Sequence, residues 1–153
     1  RKTETRINTS TPSTRPEMTA ALIAETGLSP DVLRDLVHRF YDRVRSDAVL
    51  GPIFTARITD WGPHLARMVA FWSSVALMTG QYHGRPVPAH TPLTINAAHF
   101  GCWLALFRAT AIEACTPVGA AHVIERAERI AHSLHIAVQS AQSEPSAPPR
   151  LFT

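Results

Sequence analysis

SPDVLRDLVHRFYDRVR, residues 29 to 45, carries Leu33, Leu36, Val37, Phe40, Tyr41 and Val44 at intervals of three and four, the period of an amphipathic helix. Its first two residues are a start signal. Ser29 can take a backbone N–H at the N-cap, and Pro30 occupies the first helical position, where its missing N–H costs nothing. The segment therefore reads as a helix with one buried face. Working outward, the same period returns in three more segments. Residues 60 to 78 place His64, Met68, Phe71, Trp72 and Val75 on one stripe, with Gly62 and Pro63 confined to the first turn. About Thr94 to Cys115, the period aligns Phe100, Trp103, Leu104, Phe107 and Ala111; from near Pro117 it aligns Ile124, Ala127, Ala131, Leu134 and Val138. No segment alternates with period 2, and no hairpin dipeptide joins two β-branched runs, so the expected fold class is all-α. LGPIFTARI (50 to 58) reads as too short and broken for a full helix, and residues 79 to 93 as carrying at most one turn. Long helices meeting through irregular links favour oblique packing over a regular four-helix bundle.

At 153 residues with 45% apolar side chains, the chain fits one domain with a sizeable core. The Thr/Ser/Pro/Arg-rich start supports a disordered extension over 1–27, a folded domain over 28–141 and a disordered tail over 142–153. The net charge of +3 belongs to the extension, where Arg1, Lys2, Arg6 and Arg15 face Glu4 alone. The folded body is neutral, which gives no reason to expect nucleic-acid binding. Cys102 and Cys115 are separated by roughly 20 Å of helix and should not pair with each other, which suits a reducing cytoplasm. The longest apolar run, MVAFWSSVALM (68 to 78), is about half of what a membrane helix needs, and the polar N-terminus has no apolar signal-peptide core. A cytoplasmic location is expected. The preference for arginine over lysine and the abundant alanine point to a GC-rich, bacterial genome.

Of eight histidines, His38, His83, His122, His132 and His135 read as surface or boundary residues. His132 and His135 could share a divalent metal at i, i+3, but no third ligand stands nearby in sequence. His64, Tyr41 and Trp103 differ, because each lies on the apolar stripe of a separate helix. A buried polar tip needs a partner. The three are either separately satisfied core residues or the lining of a pocket for a small polar ligand. His90 stands in the connector QYHGRPVPAHTPL (81 to 93), whose Pro86, Pro88 and Pro92 limit backbone freedom. A flat iron porphyrin needs one imidazole held at a fixed angle, an apolar slot, and room on the far side, and this arrangement matches that requirement. The second ring nitrogen would donate to a backbone carbonyl and set the tautomer.

The run FYDRVRSDAVLGPIF (40 to 54), then W..H...M..FW (61 to 72), then TGQYHGRPVPAH (79 to 90), then HF..WLALF (99 to 107), resembles the truncated haemoglobins, specifically their third group, over about residues 28 to 140. The resemblance implies a shortened globin, a two-over-two α-helical sandwich around haem b. It implies His90 as the proximal iron ligand, and Tyr41 and Trp103 as distal residues that hydrogen-bond bound ligand. His64 corresponds to a distal histidine gating the pocket. Phe54 corresponds to a phenylalanine stacked on the porphyrin, with Met68, Phe71 and Trp72 lining it and Arg67 facing a haem propionate. One departure is His99, which stands where an aromatic residue is expected and brings a second imidazole near the haem region. If His99 or His64 reached the iron, the resting haem would be six-coordinate.

The function so implied is binding of O2, NO and CO at a distal pocket, with redox chemistry on the bound ligand as an extension. NO dioxygenase or peroxidase activity would need a separate reductase. A haem-free globin-shaped sensor or binding domain is the alternative from another class.

Overall fold

The computed structural model describes residues 10–80 and 95–142. Among these residues there are six helices and no strand: α1 (Ser10–Thr26), α2 (Pro30–Ser46), α3 (Leu50–Arg57), α4 (Trp61–Leu77), α5 (Ala97–Ala114) and α6 (Pro117–Gln142). The chain is all-α, as its periodicity predicts. α2 begins where the Ser-Pro pair places it: Ser29 Oγ accepts the Val32 N–H at 3.1 Å, and the six predicted core residues of its face are all buried.

The α2–α3 corner is built by Asp47, whose Oδ2 accepts the N–H groups of Val49 (2.9 Å) and Leu50 (2.8 Å). These bonds hold its carboxyl below the ordinary value, with the Leu50 N–H the largest cause. The turn is tight enough that a Cβ on Gly51 would come within 2.7 Å of the Arg45 carbonyl. LGPIFTARI, expected to be too broken for a full helix, completes two turns as α3. Pro52 falls in the first turn, where backbone N–H groups have no intrahelical acceptor and the proline removes no bond.

α2 packs on α4, and α5 on α6; the two pairs meet where α2 crosses α5 and α4 touches α6. Phe40, Phe71, Trp72, Phe107, Ala111 and Ala127 are buried where these pairs meet. Both cysteines are free thiols, and burial, followed by the Asp35 charge, pushes Cys115 up to about 11. No helix among the described residues is long and apolar enough to cross a membrane.

The N-terminal region corrects the sequence reading. A disordered extension is expected over 1–27, yet residues 10–26 form α1, with Pro16 inside it. The reason is tertiary. Thr19 Oγ1 donates to the Leu77 carbonyl at 2.6 Å, Leu22 and Ile23 pack on the core, and the carbonyl of buried Thr26 accepts from Thr116 Oγ1 at 2.7 Å. Packing and bonds to α4 and to the α5–α6 link outweigh a poor intrinsic helix sequence. Residues 1–9 and 143–153, which complete the expected tails, lie outside the described residues.

Candidate functional site

Three helices converge through their rings. Phe107 of α5 stacks on Trp72 of α4 (centroids 4.8 Å apart, 23° between planes) and on Trp103 one turn earlier (5.6 Å, 12°). Phe40 of α2 stands edge-on to Tyr41 (5.0 Å), Trp103 (5.4 Å) and Phe107 (5.3 Å). Offset-stacked and edge-on geometries are the favourable ones for aromatic pairs. The Trp103 plane is thus fixed from two sides, by a residue of its own helix and by one of α2.

Two adjoining hollows share Trp103 and Leu134 as walls. The first holds about 380 Å³, counting space open to solvent, between Leu50 and Phe54 of α3, Ile95, His99 and Phe100 at the start of α5, and Ala131 and Leu134 of α6. The second holds about 350 Å³ on the same measure, and is lined by Tyr41, Met68, Phe71, Trp72, Trp103, Ile130 and Leu134. Phe54, Tyr41, Met68, Phe71, Trp72 and Trp103, all singled out in the sequence, therefore gather around one cleft.

The other sequence-derived residues stand differently. His64 lines neither hollow but lies edge-on to Tyr41 at 5.0 Å, with its Nε2 shielded from solvent although the residue as a whole is half-buried. Arg67 is exposed on α4 and lines neither hollow. His90 lies outside the described residues. His99 closes a capping box: its Nδ1 accepts the Asn96 N–H at 3.0 Å while its own N–H donates to Asn96 Oδ1 at 3.2 Å. An accepting Nδ1 leaves the hydrogen of the neutral ring on Nε2. His99 would have to abandon its cap before that nitrogen could ligate a metal. His132 is exposed, while the His135 ring lies 5.1 Å from that of Phe100.

Sequence reasoning passed over Leu50, Ile95, Ile130 and Leu134 as parts of the cleft. Leu134 and Ala131 were legible as a helical stripe, but a stripe does not say which stretch of it faces a hollow. It also passed over Arg45, whose guanidinium lies 4.5 Å above the ring of Trp61.

No protein-family model matches the chain. Over 85 residues, 52% of this chain and 67% of the relative, it is 34% identical to the group 3 truncated haemoglobin ctb of Campylobacter jejuni. The chain belongs to the group 3 truncated haemoglobins. The crystal structure of a group III truncated haemoglobin from Campylobacter jejuni superposes with a TM-score of 0.69 at 28% identity, covering 72% of this chain and 91% of that one. The helical pairs described above are accordingly the two-over-two sandwich of a truncated globin.

Truncated haemoglobins generally bind haem, and the lining of this cleft is chemically suited to it. Apart from Tyr41 and His99, the walls of both hollows are apolar or aromatic, as a flat and mostly apolar ring requires.

Proposed function

We propose that this truncated haemoglobin holds haem b in the cleft around Trp103 and binds O2, NO and CO there. The observation that carries the reading is the convergence of Tyr41, Met68, Phe71, Trp72 and Trp103 on one hollow, with Phe54 on the adjoining one. Haem, when bound, supplies an iron to which a diatomic can attach, and His90 is its proximal ligand in this reading. Phe54, Met68, Phe71 and Trp72 form the apolar slot, and Arg67 is the partner of a propionate. The Tyr41 hydroxyl and the Trp103 indole N–H are the donors for a diatomic that gains negative charge on binding. Hydrogen bonds to charged groups contribute about 1.5–3 kcal/mol each, enough for two of them to slow ligand release by orders of magnitude. Such retention suits chemistry on the ligand better than delivery of it, and turnover would draw electrons from a separate reductase.

The test is the ultraviolet-visible spectrum of the purified protein, oxidised and dithionite-reduced, beside His90→Ala. A Soret band that is lost or strongly weakened in the variant is expected. A folded helical chain that takes up no haem would overturn the reading. In the haem-loaded protein Tyr41→Phe should raise the O2 dissociation rate by roughly ten-fold or more, the loss of one charge-assisted bond; an unchanged rate removes Tyr41 from the donor set.

A further inference from the structure

At the N-terminal end of α4, a series of side chains leads from the second hollow to solvent. Tyr41 lines the hollow and is buried; His64 stands edge-on to it at 5.0 Å; Trp61 stands edge-on to His64 at 5.5 Å and lies 5.9 Å from Tyr41. Outermost is Arg45, from the last turn of α2, with its guanidinium 4.5 Å above the Trp61 ring. Burial falls along the series: Tyr41 is buried, His64 and Trp61 are half-buried, and Arg45 is exposed. Flanked by Tyr41 and Trp61, His64 keeps its Nε2 away from water. Neither Trp61 nor Arg45 lines a hollow, so any influence they have on a ligand passes through the rings that Trp61 touches, His64 and Tyr41.

We propose that Arg45 and Trp61 form a clamp that holds His64 inward and sets the rate at which a small diatomic reaches the second hollow. The inference rests on the ligand-pocket reading above and adds two positioning residues to it. With Trp61 against one side of its ring, His64 can turn outward only if Trp61 moves. Trp61 moves only by leaving the guanidinium. The N-cap residue of α4, Asp60, makes no side-chain capping bond, so this end of the helix has no directional side-chain cap to resist the motion. An exposed cation–π contact shifts such an equilibrium by about two- to five-fold, and it needs both a cation and an electron-rich face. Arg45→Lys therefore keeps the clamp, Arg45→Met removes the cation at similar length, and Trp61→Phe leaves a weaker face.

Flash photolysis of the CO complex of the full chain tests this. Bimolecular rebinding is expected to accelerate about two- to five-fold in Arg45→Met, to stay near wild type in Arg45→Lys, and to accelerate further in Trp61→Ala than in Trp61→Phe. The O2 dissociation rate should rise by no more than the same factor in Arg45→Met, because a gate acts on entry and escape alike and that variant keeps the Tyr41 and Trp103 donors. Equal rebinding rates in wild type, Arg45→Met and Trp61→Ala overturn the clamp. A second readout needs no haem: the His64 ring resonances, displaced by the Tyr41 and Trp61 ring currents, should relax toward free-histidine positions in Arg45→Met. Resonances that stay put in both Arg45→Met and Trp61→Ala overturn the clamp even in a chain that takes up no haem, whereas a missing Soret band by itself overturns only the ligand reading. Arg45 is exposed and outside the core, so its variants remain folded should Trp61→Ala fail to fold.

Discussion

At its C-terminal end, α4 gives two carbonyls to other helices: Ala76 accepts from His122 Nε2 of α6 at 2.9 Å, and Leu77 accepts from Thr19 Oγ1 of α1 at 2.6 Å. At its N-terminal end, three residues before His64, it has a ring under a guanidinium and no side-chain cap. The last carbonyls of any helix lack intrahelical partners, so the two bonds at the far end satisfy groups that would otherwise be orphaned. They also fix position, because a hydrogen bond weakens steeply with angle whereas a ring contact tolerates sliding. The end nearest Tyr41 is thus the adjustable one, and the end that precedes His90 in sequence is the anchored one. Gly80, just past that anchored end, lies against the flexible guanidinium end of Arg15 from α1.

The largest expected effect tests whether the middle of α4, rather than either end, carries its attachment. Phe107→Ala removes the ring stacked on both Trp72 and Trp103, and should lower stability by about 3–5 kcal/mol in urea or guanidinium denaturation. A loss near 1 kcal/mol would mean that the ring column is not the anchor. Next come the two carbonyl bonds. Thr19→Val and His122→Ala should each cost about 1 kcal/mol, and because their acceptors are adjacent residues the double variant should depart from additivity. If both are neutral, the contrast between the two ends of α4 is lost.

The success of the sequence in predicting α2, and its failure for α1, have one physical cause. Ser29-Pro30 and a six-residue apolar face are local signals, and they place α2 within a residue of its observed bounds. α1 has two apolar anchors toward its C-terminal end, Leu22 and Ile23, and depends on Thr19 and Thr26 bonding to groups 58 and 90 residues away. Composition does not carry such pairings. The cleft divides in the same way. Tyr41, Phe71, Trp72 and Trp103 stand on helical stripes and could be selected from periodicity, while Leu50 reaches it from the first residue of the two-turn α3 and Ile95 from the link before α5, both outside any long period. Arg45 belongs to the exposed face of α2, and nothing in its neighbours announces a tryptophan sixteen positions on.

The smallest effect concerns the corner from which Arg45 reaches Trp61. Asp47 is the directional element there, since its carboxylate takes the N–H groups that open α3, and it also lies 3.6 Å from the Cys102 thiol of α5. The Leu50 N–H, then those of Val49 and the Cys102 thiol, hold the Asp47 carboxyl below its ordinary 3.8, against the opposing pull of burial. A carboxyl with a lowered folded value contributes its full stability above the ordinary value and loses it as pH falls through the folded one, here below roughly pH 4. Asp47→Asn keeps an oxygen acceptor and discards the charge, so at neutral pH it should cost less than about 1 kcal/mol. Its signature is in acid, where the stability of the wild type should fall more steeply than that of the variant. Glu113, lowered chiefly by its hydrogen bond from Arg43, contributes to the acid limb of both proteins and drops out of the difference. Parallel acid limbs would mean that the N–H groups at the start of α3 do not need the charge. The corner would then be held by the close passage of Gly51 against Arg45, and Arg45 would keep its seat over Trp61 whatever the state of Asp47.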